Sequence, residues 1–293
     1  MKKILVLLSV LALLGAASCT KDDKDNRHGP EWQNTLPSGP DQIKVLTFNI
    51  RQKNTNATDR GMNYWALRAG ACRDMVIDQQ PTVLGLQELA QTQWEYMSGT
   101  LAPYGYDGKS MEGHKNGFLY KKDVVELLRD GRFWASATPE VESMSWDDKY
   151  TRPVQWAEFR VKATGQGFFF MTTHLGLTSQ SRLQSMKLIK KRIEMYNTEN
   201  LPVVLMADFN TIHTDKIFDE IKETMYCTRD VAPITDDVKT YNAWAAKGGE
   251  PYICDHIFVS NSLGCPEYRT VTKPYDGHTL ISDHYPCYSI VQF

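Results

Sequence analysis

Cysteine is scarce and unpatterned in this chain of 293 residues: six are present, and no two stand in a CxxC spacing. That excludes the paired-thiolate zinc sites. The five beyond Cys19 (Cys72, Cys227, Cys254, Cys265 and Cys287) are an odd number and cannot close a complete disulfide framework, although two could pair in an oxidising compartment. No apolar run reaches the roughly 18 residues that a membrane-spanning helix needs. Neither sign of charge dominates, with 33 Lys and Arg against 35 Asp and Glu. No strongly basic surface is therefore implied, which disfavours tight, nonspecific binding of nucleic acid. No internal repeat is visible, so a repeat architecture is not expected. The composition is 42% hydrophobic and 11% aromatic, enough for one large globular domain with a substantial core.

Lys2 and Lys3 precede an apolar run from Ile4 to Leu14, and the small residues Gly15, Ala16, Ala17 and Ser18 lead to Cys19. This is the layout of a secretory signal peptide. A cysteine directly after the small residues resembles a bacterial lipoprotein signal, which implies that Cys19 becomes a lipidated first residue; Ala16 stands where the commonest form has leucine. The stretch from Thr20 to Asp25 resembles the lysine-plus-acid export signal of bacterial surface lipoproteins. The expected organisation is a signal over 1–19, a disordered polar tether over 20–40 with Pro30, Pro37 and Pro40, and one domain over 41–293. The expected destination is the bacterial outer membrane, lipid-anchored and facing outward, with free secretion as the alternative. Removing the signal takes Lys2 and Lys3 and no acid, so 31 basic residues remain against 35 acidic ones.

Within the domain, several apolar runs end abruptly in polar groups. Pro202 opens one of them: Val203, Val204, Leu205 and Met206 read as a strand buried on both faces, followed by Ala207, Asp208, Phe209 and Asn210. At a period of two, the Asp208 carboxylate and Asn210 amide face the same way and could hold a water and a phosphate oxygen together. Taken alone, the pair fits equally well a turn capping a helix at 214–223. Three further runs behave alike. Ile43 to Ile50 carries Asn49 near its end, Thr82 to Leu86 ends in Gln87 and Glu88, and Phe168 to Met171 ends in Thr172, Thr173 and His174. A carboxylate at the mouth of an apolar strand suits a hard cation such as Mg²⁺. Later, Asp255 is embedded in the strand Tyr252 to Val259, where an unpartnered acid costs several kcal/mol. Its expected partner is His284, beside Asp283 and ahead of a final strand from Tyr285 to Val291.

Helices are expected at 63–79, with Trp65, Ala69, Cys72 and Val76 on one face, at 91–101 and at 180–196. Residues 117–120 and 124–133 read as paired strands, within which Tyr120 could donate to a substrate. The irregular stretch 135–151 has the length of a binding loop, and Arg152 at its end could fork onto a phosphate.

The segments TFNI, LQE, TTHL, ADFN, CDHIFVS and SDH, in this order, closely resemble the endonuclease/exonuclease/phosphatase superfamily, across residues 43–293. Two departures are Ala207, where glycine is usual, and Thr82, where an acid is common; neither position supplies a side chain to the chemistry. GRFWASATPE at 131–140 and TRPVQWAEF at 151–159 are similar to a bacterial subgroup. The resemblance implies an α+β fold, a four-layer αββα sandwich of the deoxyribonuclease I type, with its active site at one end. It also implies a monomeric hydrolase of phosphoester bonds using Mg²⁺ or Mn²⁺. Glu88 would hold the metal with Asn49 and Asp283, Asp208 would activate water, and Asn210 would bond the phosphate. His174, His284 and Arg152 would neutralise phosphate oxygens, and Asp255 would orient His284. Either Asp208 or the Asp255–His284 pair could be the base. The substrate could be a sugar or inositol phosphate, a phospholipid headgroup or a nucleic acid. The rival reading is a surface carbohydrate-binding lipoprotein without catalysis, with Trp134, Trp146, Trp156 and Trp244 as stacking platforms.

Overall fold

In strand β1 (Gln42–Asn49), Ile43 and Val45 point one way and Leu46 and Phe48 the other, and all four are buried. A strand apolar on both faces needs a covering layer on each. A computed structural model, describing residues 34–54, 57–111, 113, 115–245 and 252–293, shows those layers. Ile43 and Val45 pack with Val83, Phe118, Phe159, Phe168, Phe170, Val204 and Met206 between two sheets. Leu46 and Phe48 pack outward on Cys72, Met75 and Val76 of helix α1 (Trp65–Gln79) and Met97 of α2 (Gln91–Leu101). Beyond the second sheet, Phe169, Met171 and Leu205 meet Met186 and Ile189 of α3 (Ser179–Tyr196). The result is the four-layer αββα sandwich.

Among the described residues, each sheet has six strands. The first runs β11 (Gly264–Thr270), β12 (Cys287–Gln292), β1, β2 (Val83–Leu89), β4 (Lys115–Lys121), β3 (Tyr106–Ser110). The second runs β9 (Met225–Cys227), β10 (Asp255–Ser260), β8 (Val203–Asp208), β7 (Gly167–His174), β6 (Pro153–Val161), β5 (Val125–Trp134). In each, the one parallel pair lies at the centre, β1 with β2 and β7 with β8. A helix links each pair, α1 in the first sheet and α3 in the second. The helix boundaries have local causes: α1 stops where Gln80 is left-handed at φ 48° and Pro81 follows, and α3 starts where Thr178 caps it by accepting the Ser181 N–H at 3.1 Å.

Several expectations change. Strands β4 and β5 are not paired with each other; the chain crosses between sheets at 122–124, β4 joining β2 and β5 joining β6. The 214–223 stretch forms only a short 3₁₀ turn, Lys216–Glu220, capped by Asp215. Residues 34 and 35, expected in the tether, sit on the domain: Thr35 donates to Glu267 at 3.1 Å, and buried Lys44 donates to Asn34 Oδ1 at 2.5 Å and Thr35 O at 3.1 Å. Trp134 and Trp156 are 7% and 9% exposed, with Trp156 stacked between Phe169 and Tyr196, so neither can be a sugar platform. All five described cysteines are buried and unpaired. Cys19 and the signal lie outside the described residues. No helix among the described residues is long and apolar enough to cross a membrane.

The layer between the sheets is apolar over most of its depth and polar at one end. Every second residue keeps that face, so Val83 is followed by Gly85 and Gln87, Phe170 by Thr172 and His174, and Met206 by Asp208. Gln87 Nε2 donates to Thr172 Oγ1 across the sheets at 3.1 Å, and Asn116 Nδ2 to Thr172 O at 3.2 Å.

Gly85 sets the spacing there, since a Cβ at this position would lie 2.7 Å from Thr172 Oγ1 and 3.2 Å from Met206 Cε. Gly85→Ala should cost about 1–3 kcal/mol, read as a lower urea midpoint, and should cost less in a Thr172→Ala background; fully additive losses would show that the contact does not set the spacing. On the outer face of β10, His256 is enclosed by Phe209, Phe218 and Phe258, donates to Thr211 O at 2.8 Å, and is drawn by burial down to about 3. Between pH 6.5 and 3 the unfolded chain therefore binds the proton that the folded chain refuses, so this stability is whole above about pH 6.5 and lost on acidification. By pH 5 the loss should be about 2 kcal/mol. His256→Gln should flatten the midpoint between pH 7 and 5, and equal slopes in both proteins would contradict this account.

Candidate active site

The polar end of the inter-sheet layer opens into a cavity of about 660 Å³, lined among others by Arg51, Glu88, Asn116, Arg152, His174, Asp208, Asn210, Tyr241, Tyr252, Asp283 and His284. Register delivers these groups together. Asn49 lies opposite Gln87 in the first parallel pair, His174 opposite Asp208 in the second, and Asp208 opposite Asp255 across β8 and β10. Strict alternation would turn Glu88 outward with Leu84 and Leu86. Instead the register against β4 shifts between Gln87 and Leu89, and Glu88 takes a left-handed φ of 57°. Such a bulge re-aims one side chain, here into the cavity. Asn210 also departs from period two: the strand stops at Asp208, and Asn210, with φ 52°, donates its N–H to Asp208 Oδ1 at 2.9 Å.

Asp208 is the hub. Its Oδ2 accepts from Asn49 Nδ2 at 2.9 Å and lies 3.4 Å from His174 Nε2 and 3.7 Å from His284 Nε2. His284 Nδ1 is 2.8 Å from Asp255 Oδ2. Burial pulls the His284 imidazole down, but Asp255 and Asp208 outweigh it and raise the group to about 10, so His284 is a cation at neutral pH. Burial instead holds His174 below its usual value, against the pull of Asp208. Asn210 Nδ2 lies 2.8 Å from both His174 Nε2 and Leu175 O. Its amide is thus tied to the end of β7, donating to Leu175 O and touching the His174 ring, and it keeps its place on the cavity wall.

The hard-cation donors are Glu88 and Asp283. Burial pushes the Glu88 carboxyl up, yet His174, Arg51 and the Gln52 amide together bring it below its usual value. Burial keeps Asp283 above its usual value despite His284 and Arg51. Two carboxylates beside one cavity, with Asp208 as a third, fit Mg²⁺ or Mn²⁺. Asn49 fits less well as a ligand, because its oxygen already accepts the Arg51 N–H at 3.0 Å and its nitrogen faces Asp208. Asp208, Cys254 and His284 also lie within 4.8 Å of one another. That group suits a metal poorly: burial raises the Cys254 thiol far above its usual value, and His284 is a cation held by Asp255.

Arg152 reaches the cavity, with Nε bonded to Asp148 Oδ2 at 3.0 Å. Asp148 also accepts from Ser181 Oγ at 3.0 Å, which ties the 135–151 loop to α3 and leaves the two Arg152 Nη groups for a ligand. Tyr120 is a correction. It occupies the same inward row as Asn116 but four residues further along β4, roughly 13 Å deeper, where it packs on Phe118 and Phe159 and bonds Asp107. It does not reach the site. Asn116, two residues before Phe118 in that row, is the residue that parity along the strand would have found. Tyr241 and Tyr252, 5.5 Å apart, were also missed, as was Arg68, which is 1% exposed and donates to the carbonyls of Ile50, Arg51 and Ile281. Arg68 thereby fixes the chain just past Asn49 and just ahead of Asp283.

The Endonuclease/Exonuclease/phosphatase family profile matches residues 46–284. Among solved structures, the endonuclease/exonuclease/phosphatase from Bacteroides vulgatus is 25% identical at a TM-score of 0.78, covering 86% of this chain and 99% of its own. The mannosyl-6-phosphatase Bt3783 of Bacteroides thetaiotaomicron is also 25% identical, at a TM-score of 0.74, covering 86% and 100%. TDP2 of D. rerio, solved with a single-strand DNA product, shares the fold at 17% identity and a TM-score of 0.69, covering 86% and 99%. Among curated proteins none matches the chain significantly. Asn49, Glu88, His174, Asp208 and Asp255 fall at strand ends of this one sandwich, with Asn210, Asp283 and His284 in the segments beside them, and the chain belongs to the endonuclease/exonuclease/phosphatase family.

Proposed function

We propose that this phosphoester hydrolase depends on a divalent cation, Mg²⁺ or Mn²⁺, and acts on a phosphate monoester of a sugar. The observation that carries this reading is the meeting of a carboxylate pair, Glu88 and Asp283, with the Asp208–His284–Asp255 chain at one concave site. Glu88 and Asp283 would hold the cation, which when bound neutralises phosphate oxygens as a Lewis acid. Asp208 takes the proton of the attacking water. His284 cannot, since the two carboxylates beside it keep it protonated at neutral pH, and it serves instead as a donor through Nε2. Arg152 offers its fork to the phosphate and Asp148 aims it.

The preference for a monoester has two supports. Cations and acids are mixed in the lining of the cavity, with Arg51 and Arg152 beside Glu88, Asp208 and Asp283, where a nucleic-acid track would favour a predominantly basic lining. The mannosyl-6-phosphatase is also among the relatives that match over nearly the whole domain. The export reading stays as proposed from the sequence, with an acyl anchor at Cys19. Cys19→Ser should be released from membranes or left unprocessed, and failure of labelled palmitate to enter the wild type would refute the anchor.

Mannose 6-phosphate, an inositol phosphate, bis-p-nitrophenyl phosphate and an oligonucleotide, each assayed with and without EDTA, test the substrate class. The sugar phosphate should be turned over fastest and EDTA should abolish it; faster cleavage of either diester would overturn the monoester reading. Asp208→Asn and His284→Ala should each lower turnover by roughly two to four powers of ten. Their combination should lose far less than the product, because both serve one transition state. Asp255→Ala should lose stability as well as activity, since it strips a buried imidazolium of its partner. Single-variant turnovers within about threefold of wild type, in protein folded by circular dichroism, would remove the catalytic assignment.

A further inference from the structure

Arg51 has no place in the mechanism above, yet it is among the most firmly held side chains of the site. Its backbone is left-handed at φ 55° and tied on both sides: the N–H donates to Asn49 Oδ1 at 3.0 Å, and the carbonyl accepts from Arg68 at 2.6 Å and Gln93 at 2.9 Å. Its guanidinium is locked by a two-pronged bond to Asp59, with Nε and Nη2 each 2.9 Å from a carboxylate oxygen, and Asp59 is 2% exposed. The remaining nitrogen, Nη1, is left 3.4 Å from Asp283 Oδ2 and 3.8 Å from Glu88 Oε2. It makes no hydrogen bond to either. The guanidinium therefore faces both carboxylates at Coulombic range and leaves their lone pairs open.

We infer that Arg51 is a fixed counter-ion built into the cation site, held off the two carboxylates by Asp59, and that it weakens the hold of Glu88 and Asp283 on a divalent ion. The inference rests on the proposed cation site. A positive charge this close to both ligands is repelled by the incoming ion, which favours exchange over tight retention. It also keeps the two carboxylates compensated whenever no divalent ion is present, so the fold does not depend on the metal. Asp59 decides which effect prevails: while it grips the fork, Nη1 stands back, and without it the guanidinium is free to close onto Glu88 and Asp283 and block them.

The two halves of this arrangement predict shifts of opposite sign. Arg51→Gln alone strands the buried Asp59 carboxylate and risks the fold, so the paired variant Arg51→Gln/Asp59→Asn carries the test. Calorimetric titration with Mn²⁺ should show the paired variant binding roughly 10- to 100-fold more tightly than wild type. Asp59→Asn should bind about tenfold or more weakly, the freed guanidinium competing for the carboxylates. Equal or weaker affinity in the paired variant, or unchanged or tighter affinity in Asp59→Asn, with folding verified by circular dichroism, would overturn the role of Arg51. Wild-type protein that takes up no Mn²⁺ would instead refute the cation site itself, and the inference with it.

Discussion

Beyond the bonds of Gln87 and Asn116 to Thr172, two bonds between charged or amide groups of the site join the sheets at their polar end: Asn49 to Asp208 at 2.9 Å and His284 to Asp255 at 2.8 Å. In each, one partner belongs to the first sheet or the segment leading into it and the other to the second. Elsewhere the sheets are held by Phe118, Phe159, Phe168 and their neighbours, contacts that tolerate a small slide. A charge-assisted bond at 2.8 Å does not tolerate it. The distance between sheets is thereby converted into the position of reactive groups, and the close approach of Gly85 to Thr172 is what lets these bonds reach.

The parallel pairing at the centre of each sheet divides the labour. The β1–β2 pair and the segment before β12 bring Asn49, Glu88 and Asp283, and so the oxygen donors. The β7–β8 pair with β10 brings His174, Asp208 and Asp255, and so the proton chemistry. Neither half is a site alone. Arg68, with carbonyl partners on both sides of the first half, and Asp148, which ties Arg152 to α3, are the struts behind them.

The buried strands and most of the polar groups at their ends were legible because such strands carry a clean signal, whereas the layered arrangement came from the resemblance of the ordered motifs to a family. Runs such as Val203 to Met206 are apolar on both faces, and their abrupt polar ends mark the rim. Edge strands carried less: β3, β9 and β11 are short or mix polar and apolar residues, β11 includes Pro266, and the expected pairing of β4 with β5 ignored that consecutive strands can belong to different sheets. Tyr120 was misplaced for want of depth, because sequence gives the face of a residue on a strand but not its distance from the rim. Asn116 shows the reverse, a position that parity and depth together would have identified. Arg51, Arg68 and Asp148 were invisible for a different reason. Their roles come from partners eight, seventeen and more, and four residues away through turns whose shape no periodicity encodes.

Arg51, Glu88 and Asn210 all present their side chains from left-handed backbone, at φ 55°, 57° and 52°. For residues with a Cβ such conformations cost of order 1 kcal/mol each, against a total stability of roughly 5–15 kcal/mol for a domain. The cavity is therefore a standing load on the rest of the sandwich. A domain with fewer aromatic contacts between its sheets would have less margin to carry it. Substitutions that relax these three turns would yield a sturdier protein with a disarranged mouth, so heat tolerance and turnover in this chain are set against each other at the same three residues.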